Sequence, residues 1–216
     1  MKIRVLGAGI YGCHIACSLI DQGHDVEIHE VANDIFAGAS GSIPARLHTG
    51  QHYPRSGLTR NACLIHHKDF MGRYGHLTSG IRTNIYAIAE HDSLVDFSTY
   101  CKVLKDEIEY IQIYSPEEYG LNHVEGAILT GERHLVIRKA KSYFKDRLSN
   151  HICYGCPSGV TDDGNFDLTI DCTFCANDSA NIDCYEPCLT VLLSGDVSWS
   201  VTIMDGPFGS LYAWGS

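Results

Sequence analysis

No stretch of these 216 residues approaches the roughly 18 consecutive apolar positions that a membrane-spanning helix needs. An export leader is missing as well, because the first residues enter a strand pattern directly, so a cytoplasmic location is expected. Basic residues are in short supply. Lys and Arg total 16 against 26 Asp and Glu, a net charge of −10, which excludes non-specific attraction to a nucleic-acid backbone or an anionic membrane surface. Internal repeats and low-complexity segments are absent too, which excludes a solenoid and a disordered chain. What is present is a hydrophobic fraction of 44%, enough for one large domain or two small ones, and a small molecule is left as the expected partner. Composition leaves the oligomeric state open.

The first thirty residues are the most informative. Ile3–Leu6 is a short apolar run that ends at glycines, Ile10–Gln22 carries apolar residues near helical spacing, and Val26 and Ile28 alternate. This reads as strand, helix, strand. Gly7, Gly9 and Gly12 fall where strand gives way to helix, and each answers a different need: a tight turn, backbone approach to a pyrophosphate, and close helix–strand packing. Ile10 and Tyr11 follow at the helix start, whose unpaired N–H groups and positive dipole end would face a diphosphate. Glu30 ends the second strand 18 residues past Gly12, where a carboxylate can accept from the hydroxyls of an adenosine ribose. The pattern specifies a dinucleotide and does not by itself choose between NAD(P) and FAD.

Ten cysteines raise the question of metal. Cys153-x-x-Cys156 and Cys172-x-x-Cys175, with 15 residues between the pairs, match a zinc-ribbon spacing. Against that, strand alternation continued through Ala176 would point Cys172 and Cys175 to opposite faces. Reduced, buried or incidental thiols and no metal are therefore expected. Cys184 and Cys188 bracket a proline turn and add little.

Past Glu30 the sequence departs from a plain nicotinamide domain. A loop with Gly38, Ala39, Ser40 and Gly41 could bring further amides and a hydroxyl against a diphosphate, and a polar, aromatic stretch follows with Arg46, His48, His52, Tyr53 and Arg55. The GAGIYG fingerprint with Glu30, the GASG segment and RLHTGQHYPRSG together resemble the FAD-dependent oxidoreductases of the D-amino-acid oxidase superfamily, which include glycine oxidase and L-2-hydroxyglutarate oxidase-like enzymes. The resemblance is specific over about the first 60 residues. It implies FAD as cofactor, held by Gly7, Gly9, Ile10, Tyr11, Gly12, Glu30, Ala39, Ser40, Arg46 and His48. It also implies hydride transfer from a small amino or hydroxy acid to the flavin. His48 or His52 would act as base, and Arg55 or Arg46 would hold an acidic substrate.

The implied fold class is α/β: a Rossmann-like FAD-binding domain over residues 1–78 and 131–183, and a smaller α+β substrate domain with a mainly antiparallel sheet over 79–130 and 184–216. Local patterns agree with a chain that visits each domain twice. TNIYAIAE reads as a strand, SLVDFSTYCKVLKDEI as a helix with Ser93 as N-cap, HLVIRKAKSYFKDRL as an amphipathic helix, GNFDLTIDCTF as a strand, and Leu189–Leu193 and Trp199–Met204 as two more. The family's Ala-x-Gly after the second-visit strand is replaced here by Cys172–Ala176. The family's later glycine-rich return to the flavin has no counterpart, so a truncated member with weak FAD binding and little turnover is expected. Two other classes stay open: an NAD(P)-dependent dehydrogenase, and a catalytically inactive nucleotide-binding or zinc-stabilised module.

Overall fold

The structure is a computed structural model that describes residues 1–43, 45–156, 164–174, 190–191, 193–195 and 199–212. The chain forms two compact units, residues 1–43 with 137–192, and residues 44–136 with 193–216.

In the first unit, four parallel strands lie in the order β10-β1-β2-β9, formed by Leu168–Asp171, Lys2–Leu6, Asp25–Glu30 and Ile152–Tyr154. Strand β1 is buried from Ile3 to Leu6, as the central strand of a parallel sheet must be, and Val26 and Ile28 point inward from β2 by the period of two. Helix α1 (Ile10–Asp21) buries Gly12, Cys13, Ala16 and Cys17, small side chains that allow close approach to the sheet. Helix α5 (Ile137–Leu148) buries Ala140, Phe144 and Leu148, with Phe144 5.8 Å from the Phe36 ring. Its Lys141 and Lys145 reach Asp34 at 3.0 and 2.7 Å.

The second unit is built on a five-stranded sheet in the order β12-β11-β5-β7-β6: Ser210–Leu211, Ser200–Met204, Asn84–Ala89, Val124–Thr130 and Ile111–Ile113. It is antiparallel except where β11 runs parallel to β5. All six residues of β5 are buried because both faces are covered. Tyr86 and Ile88 pack with Tyr100 and Leu104 of α4 (Phe97–Leu104), while Ile85 and Ala87 pack with Ile113, Leu121, Ala127 and Val201. A small antiparallel sheet joins β3 (Arg46–Leu47), β8 (Arg133–Leu135) and β4 (Thr78–Gly80). Helix α3 (Gly57–Tyr74) is capped by Ser56, whose Oγ accepts from the Thr59 N–H at 3.2 Å.

Several expectations are corrected in detail. The crossings fall at 43/44, 136/137 and 192/193 rather than at 78/79, 130/131 and 183/184. The reason is α3 and β3: Leu64 packs on the Tyr86–Tyr100 cluster, Arg60 pairs with Glu107, and β3 is stitched to β8, so this stretch belongs to the second unit. The N-cap of α4 is Asp96, which accepts from the Thr99 N–H at 2.8 Å, because Ser93 is committed to the Val95 carbonyl in the preceding turn. The helix expected from His134 begins at Ile137, the residues before it forming β8. Cys153 and Cys156, expected as reduced thiols, are joined by a disulfide across the turn after β9. Their Cα atoms are 6.0 Å apart, within bonding reach, and Gly155 supplies a φ of +68°. Cys172 is a free thiol, whereas Cys175, Cys184, Cys188 and part of the Leu189–Leu193 run lie outside the described residues. Among the described residues, no helix is long and apolar enough to cross a membrane, and no three His, Cys, Asp or Glu side chains converge on a metal position.

Candidate functional site

The first unit carries a backbone cradle at the C-terminal end of β1. Gly7 turns the chain at φ +91°, and a Cβ there would come within 2.9 Å of the Cys172 carbonyl oxygen. Thus Cys172, the residue after β10, whose N–H donates to the Leu6 carbonyl at 2.9 Å, closes on the turn even though the family's Ala-x-Gly is replaced here. At Gly12 a Cβ would meet the Gly7 carbonyl oxygen at 1.9 Å, so this position is closed to side chains by helix–strand contact. Gly9 is different. It is the N-cap of α1, has no side-chain cap, and its Cβ position meets only the Ser40 hydroxyl, at 3.2 Å. Ser40 belongs to the short helix α2 (Ala39–Ser42), and its Oγ accepts from the Ile10 N–H at 3.0 Å. Ala39 sits beside it at the start of the same turn. Tyr11, one residue into α1, is 76% exposed.

Glu30 is drawn into this cradle by its carboxylate. Oε2 accepts from the Ala8 N–H at 2.6 Å and Oε1 from the Ala32 N–H at 2.9 Å, which fixes both oxygens beside the glycine turn. Each oxygen keeps a second lone pair. Cys13, directly beneath, is inert: burial above all, with the neighbouring Cys17 and Glu30, pushes its thiol up to about 12. A side chain at Gly9 would fill the cradle without touching the core. Gly9→Val is therefore expected to abolish nucleotide retention while the unfolding midpoint moves little, and nucleotide content equal to wild type in the purified variant would overturn the role given to Gly9.

The second unit holds a separate polar cluster. Glu132 is fully buried between β7 and β8 and accepts from five sides: the Arg46 guanidinium, the Tyr86 hydroxyl at 3.0 Å, Asn84 Nδ2 at 3.2 Å, the Thr49 N–H at 3.3 Å and His48 Nδ1 at 3.5 Å. Burial alone would raise its pKa, but the His48 contact, the Arg46 charge and the Tyr86 hydroxyl hold it at about 2. Arg46 spends its terminal nitrogens on Glu132, Thr202, Asn84 and Tyr86, and its guanidinium lies 4.8 Å from the Tyr212 ring centroid. Its Nε is buried without a hydrogen-bond partner. His52 lies 5.0 Å from His48 ring to ring and 5.1 Å from Tyr53. Burial first, then the charges on His48 and Arg46, push its pKa down.

The residues singled out in sequence thus fall into two groups, one in each unit. Gly7, Gly9, Ile10, Gly12, Glu30 and Ser40 come together in the first, and Arg46, His48 and His52 in the second. Arg55 stands apart from both: it is 60% exposed at its side chain and paired with Asp205. Sequence reasoning missed Glu132, Asn84, Tyr86 and Thr202. The one available signal was in TNIYAIAE, where Asn84 and Tyr86 place polar tips on the same face of an otherwise apolar strand.

Comparison with known proteins places this geometry in a wider setting. No protein-family profile matches the chain. It is 31% identical over 222 residues to the FAD-dependent monooxygenase FPY4 of Fusarium mangiferae, an alignment that covers 98% of this chain and 60% of that protein. The chain therefore spans about three-fifths of that relative's length. Among solved structures it is similar to FAD-bound L-α-glycerophosphate oxidase from Mycoplasma pneumoniae, with a TM-score of 0.55 and 16% identity over 71% of this chain and 44% of that one. Glycine oxidase from Bacillus cereus gives a TM-score of 0.51 and 13% identity over 71% and 45%.

Proposed function

We infer, for a chain with the fold of the FAD-dependent oxidases of the D-amino-acid oxidase superfamily and a sequence relative among FAD-dependent monooxygenases, that it is an FAD-dependent oxidoreductase. The observation that carries this reading is the Glu30 carboxylate, pinned by the Ala8 and Ala32 N–H groups beside a glycine turn that a Cβ at Gly9 would fill. The residues fit the cofactor. Gly9 and the positive end of α1 would hold the pyrophosphate at the tight turn that Gly7 makes, Ser40, fixed by the Ile10 N–H, would donate its hydroxyl hydrogen to it, and Glu30 would accept from the adenosine ribose with its remaining lone pairs. The bound flavin would supply a two-electron acceptor for a hydride.

The substrate class proposed is a small amino or hydroxy acid. Its carboxylate would displace Asp205 from the exposed Arg55 guanidinium, since the two carboxylates compete for the same fork of donors. The proton released with the hydride would pass to one of the two histidines, His48 or His52. Arg46 enters as the group that fixes Glu132 and Tyr86 rather than as a direct ligand, because its terminal nitrogens are already spent.

The test is a titration of the purified chain with FAD, ADP, NAD and NADP. FAD and ADP should bind, and NADP should not, because Glu30 would repel a 2′-phosphate. Glu30→Ala should weaken FAD and ADP binding by about 1.5–3 kcal/mol, the worth of hydrogen bonds to a charged group. Binding of NADP as tight as ADP, or unchanged FAD affinity in Glu30→Ala, would refute the assignment. The monooxygenase relative supports a second chemistry, separable by product analysis under ¹⁸O₂: label in the organic product would replace dehydrogenation by oxygen transfer.

A further inference from the structure

We propose that Glu132 is a positioning residue that locks His48 as its Nδ1–H tautomer, leaving Nε2 as the proton acceptor of the site, and that His52 is not the base. Only the last step, acceptance of a substrate proton, rests on the function proposed above.

The inference comes from donor and acceptor accounting around one nitrogen. His48 Nδ1 has two polar neighbours at 3.5 Å, Glu132 Oε1 and the Tyr86 hydroxyl oxygen. Glu132 is an ionised acceptor, since the pull of Arg46, His48 and Tyr86 outweighs its burial. Tyr86 has a single hydroxyl hydrogen, and the shorter contact, 3.0 Å, gives it to Glu132 Oε2. The Tyr86 hydroxyl oxygen already accepts from Arg46 Nη2 at 2.8 Å. Both neighbours of Nδ1 are therefore acceptors, and the only tautomer that satisfies them carries its hydrogen on Nδ1. The lone pair is then on Nε2, on a ring that is 28% exposed. In the forward direction the substrate's O–H or N–H bond breaks, its electron pair stays on the heteroatom, and the proton forms a bond to Nε2. The resulting imidazolium faces the Glu132 carboxylate.

His52 lacks this arrangement. Its Nδ1 is buried without a hydrogen-bond partner, so no acceptor holds a hydrogen on that nitrogen as Glu132 does for His48, and burial with the charges on His48 and Arg46 disfavours a positive charge on it despite the pull of Glu132 and Asp205. Around the pair stand Glu132, Tyr86, Arg46 and Tyr53, with Asp205 acting on His52, and of these only Glu132 is an anion in contact with His48.

The experiment is ring ¹⁵N–¹³C correlation spectroscopy of histidine-labelled full chain at alkaline pH, with the His48 signals assigned by their loss in His48→Gln. In wild type His48 should be in the Nδ1–H form. Tyr86→Phe should keep that form, because Glu132 remains. In Arg46→Met/Glu132→Met, which removes both charges together, the Tyr86 hydrogen is released to donate to Nδ1 and the tautomer should switch to Nε2–H. An Nε2–H tautomer in wild type, a switch in Tyr86→Phe, or an unchanged Nδ1–H form in the double variant would each overturn the proposal. Should the double variant fail to fold, wild type and Tyr86→Phe still decide it. None of these readouts requires FAD, so a failure here is distinguishable from a failure of the cofactor assignment.

Discussion

Gly12→Ala is expected to lower the stability of the chain by about 3 kcal/mol or more, at the upper end of what overpacking costs and despite the better helix propensity of alanine. The added Cβ would lie 1.9 Å from the Gly7 carbonyl oxygen and 3.1 Å from its carbon. Both are backbone atoms, and Gly7 cannot yield, because its N–H is bonded to the His29 carbonyl at 2.8 Å and its far side is closed by Cys172. Gly9→Ala is the matched control. There the nearest atom is a serine hydroxyl at 3.2 Å that can rotate away, so the cost should stay within about 1 kcal/mol. Urea unfolding of the two variants against wild type measures this. Equal midpoints for Gly12→Ala and Gly9→Ala would show that the fingerprint glycines are interchangeable and that helix–strand contact does not select Gly12.

That contrast also marks how far the sequence could be read. The turn at Gly7 and the close helix–strand contact at Gly12 were legible because each follows from local geometry within six residues. Glu30 was legible from its distance along the chain, since β2 must be parallel to β1 and end at the same edge of the sheet. Strand β5 was legible as a strand, but its burial on both faces was not, because period and composition do not say what covers each face. The boundary at 43/44 was missed for a related reason: α3 has no marked apolar face, burying only Arg60 and Tyr74, and its contacts through Leu64 and Arg60 are what assign it. Glu132 was not legible at all. It follows β7 in a turn, where an acid is ordinarily solvated, and its burial depends on Arg46, 86 positions earlier.

The largest electrostatic effect is expected at that pair. Arg46→Met should destabilise the chain by about 3–5 kcal/mol at pH 7, because it strands a fully buried carboxylate among neutral donors and one histidine. The pH dependence has a definite sign. Glu132 is held at about 2 in the folded chain against an ordinary 4.5, so its contribution to stability is fully present above pH 4.5 and is lost as the pH falls toward 2. Its size is on the order of 3 kcal/mol. In Arg46→Met the carboxyl no longer has its cation, its pKa rises, and the deficit relative to wild type should shrink on going from pH 7 to pH 4, where protonation relieves the buried charge. Arg46→Met/Glu132→Met should recover part of the loss at pH 7, since neither charge remains, though Asn84, Thr202 and the Thr49 N–H each lose a partner. Urea titrations of the three proteins at pH 7 and pH 4 supply the comparison. A single variant that costs less than about 1 kcal/mol, or a double variant less stable than the single at pH 7, would mean that Arg46 and Glu132 do not act as a compensated buried pair.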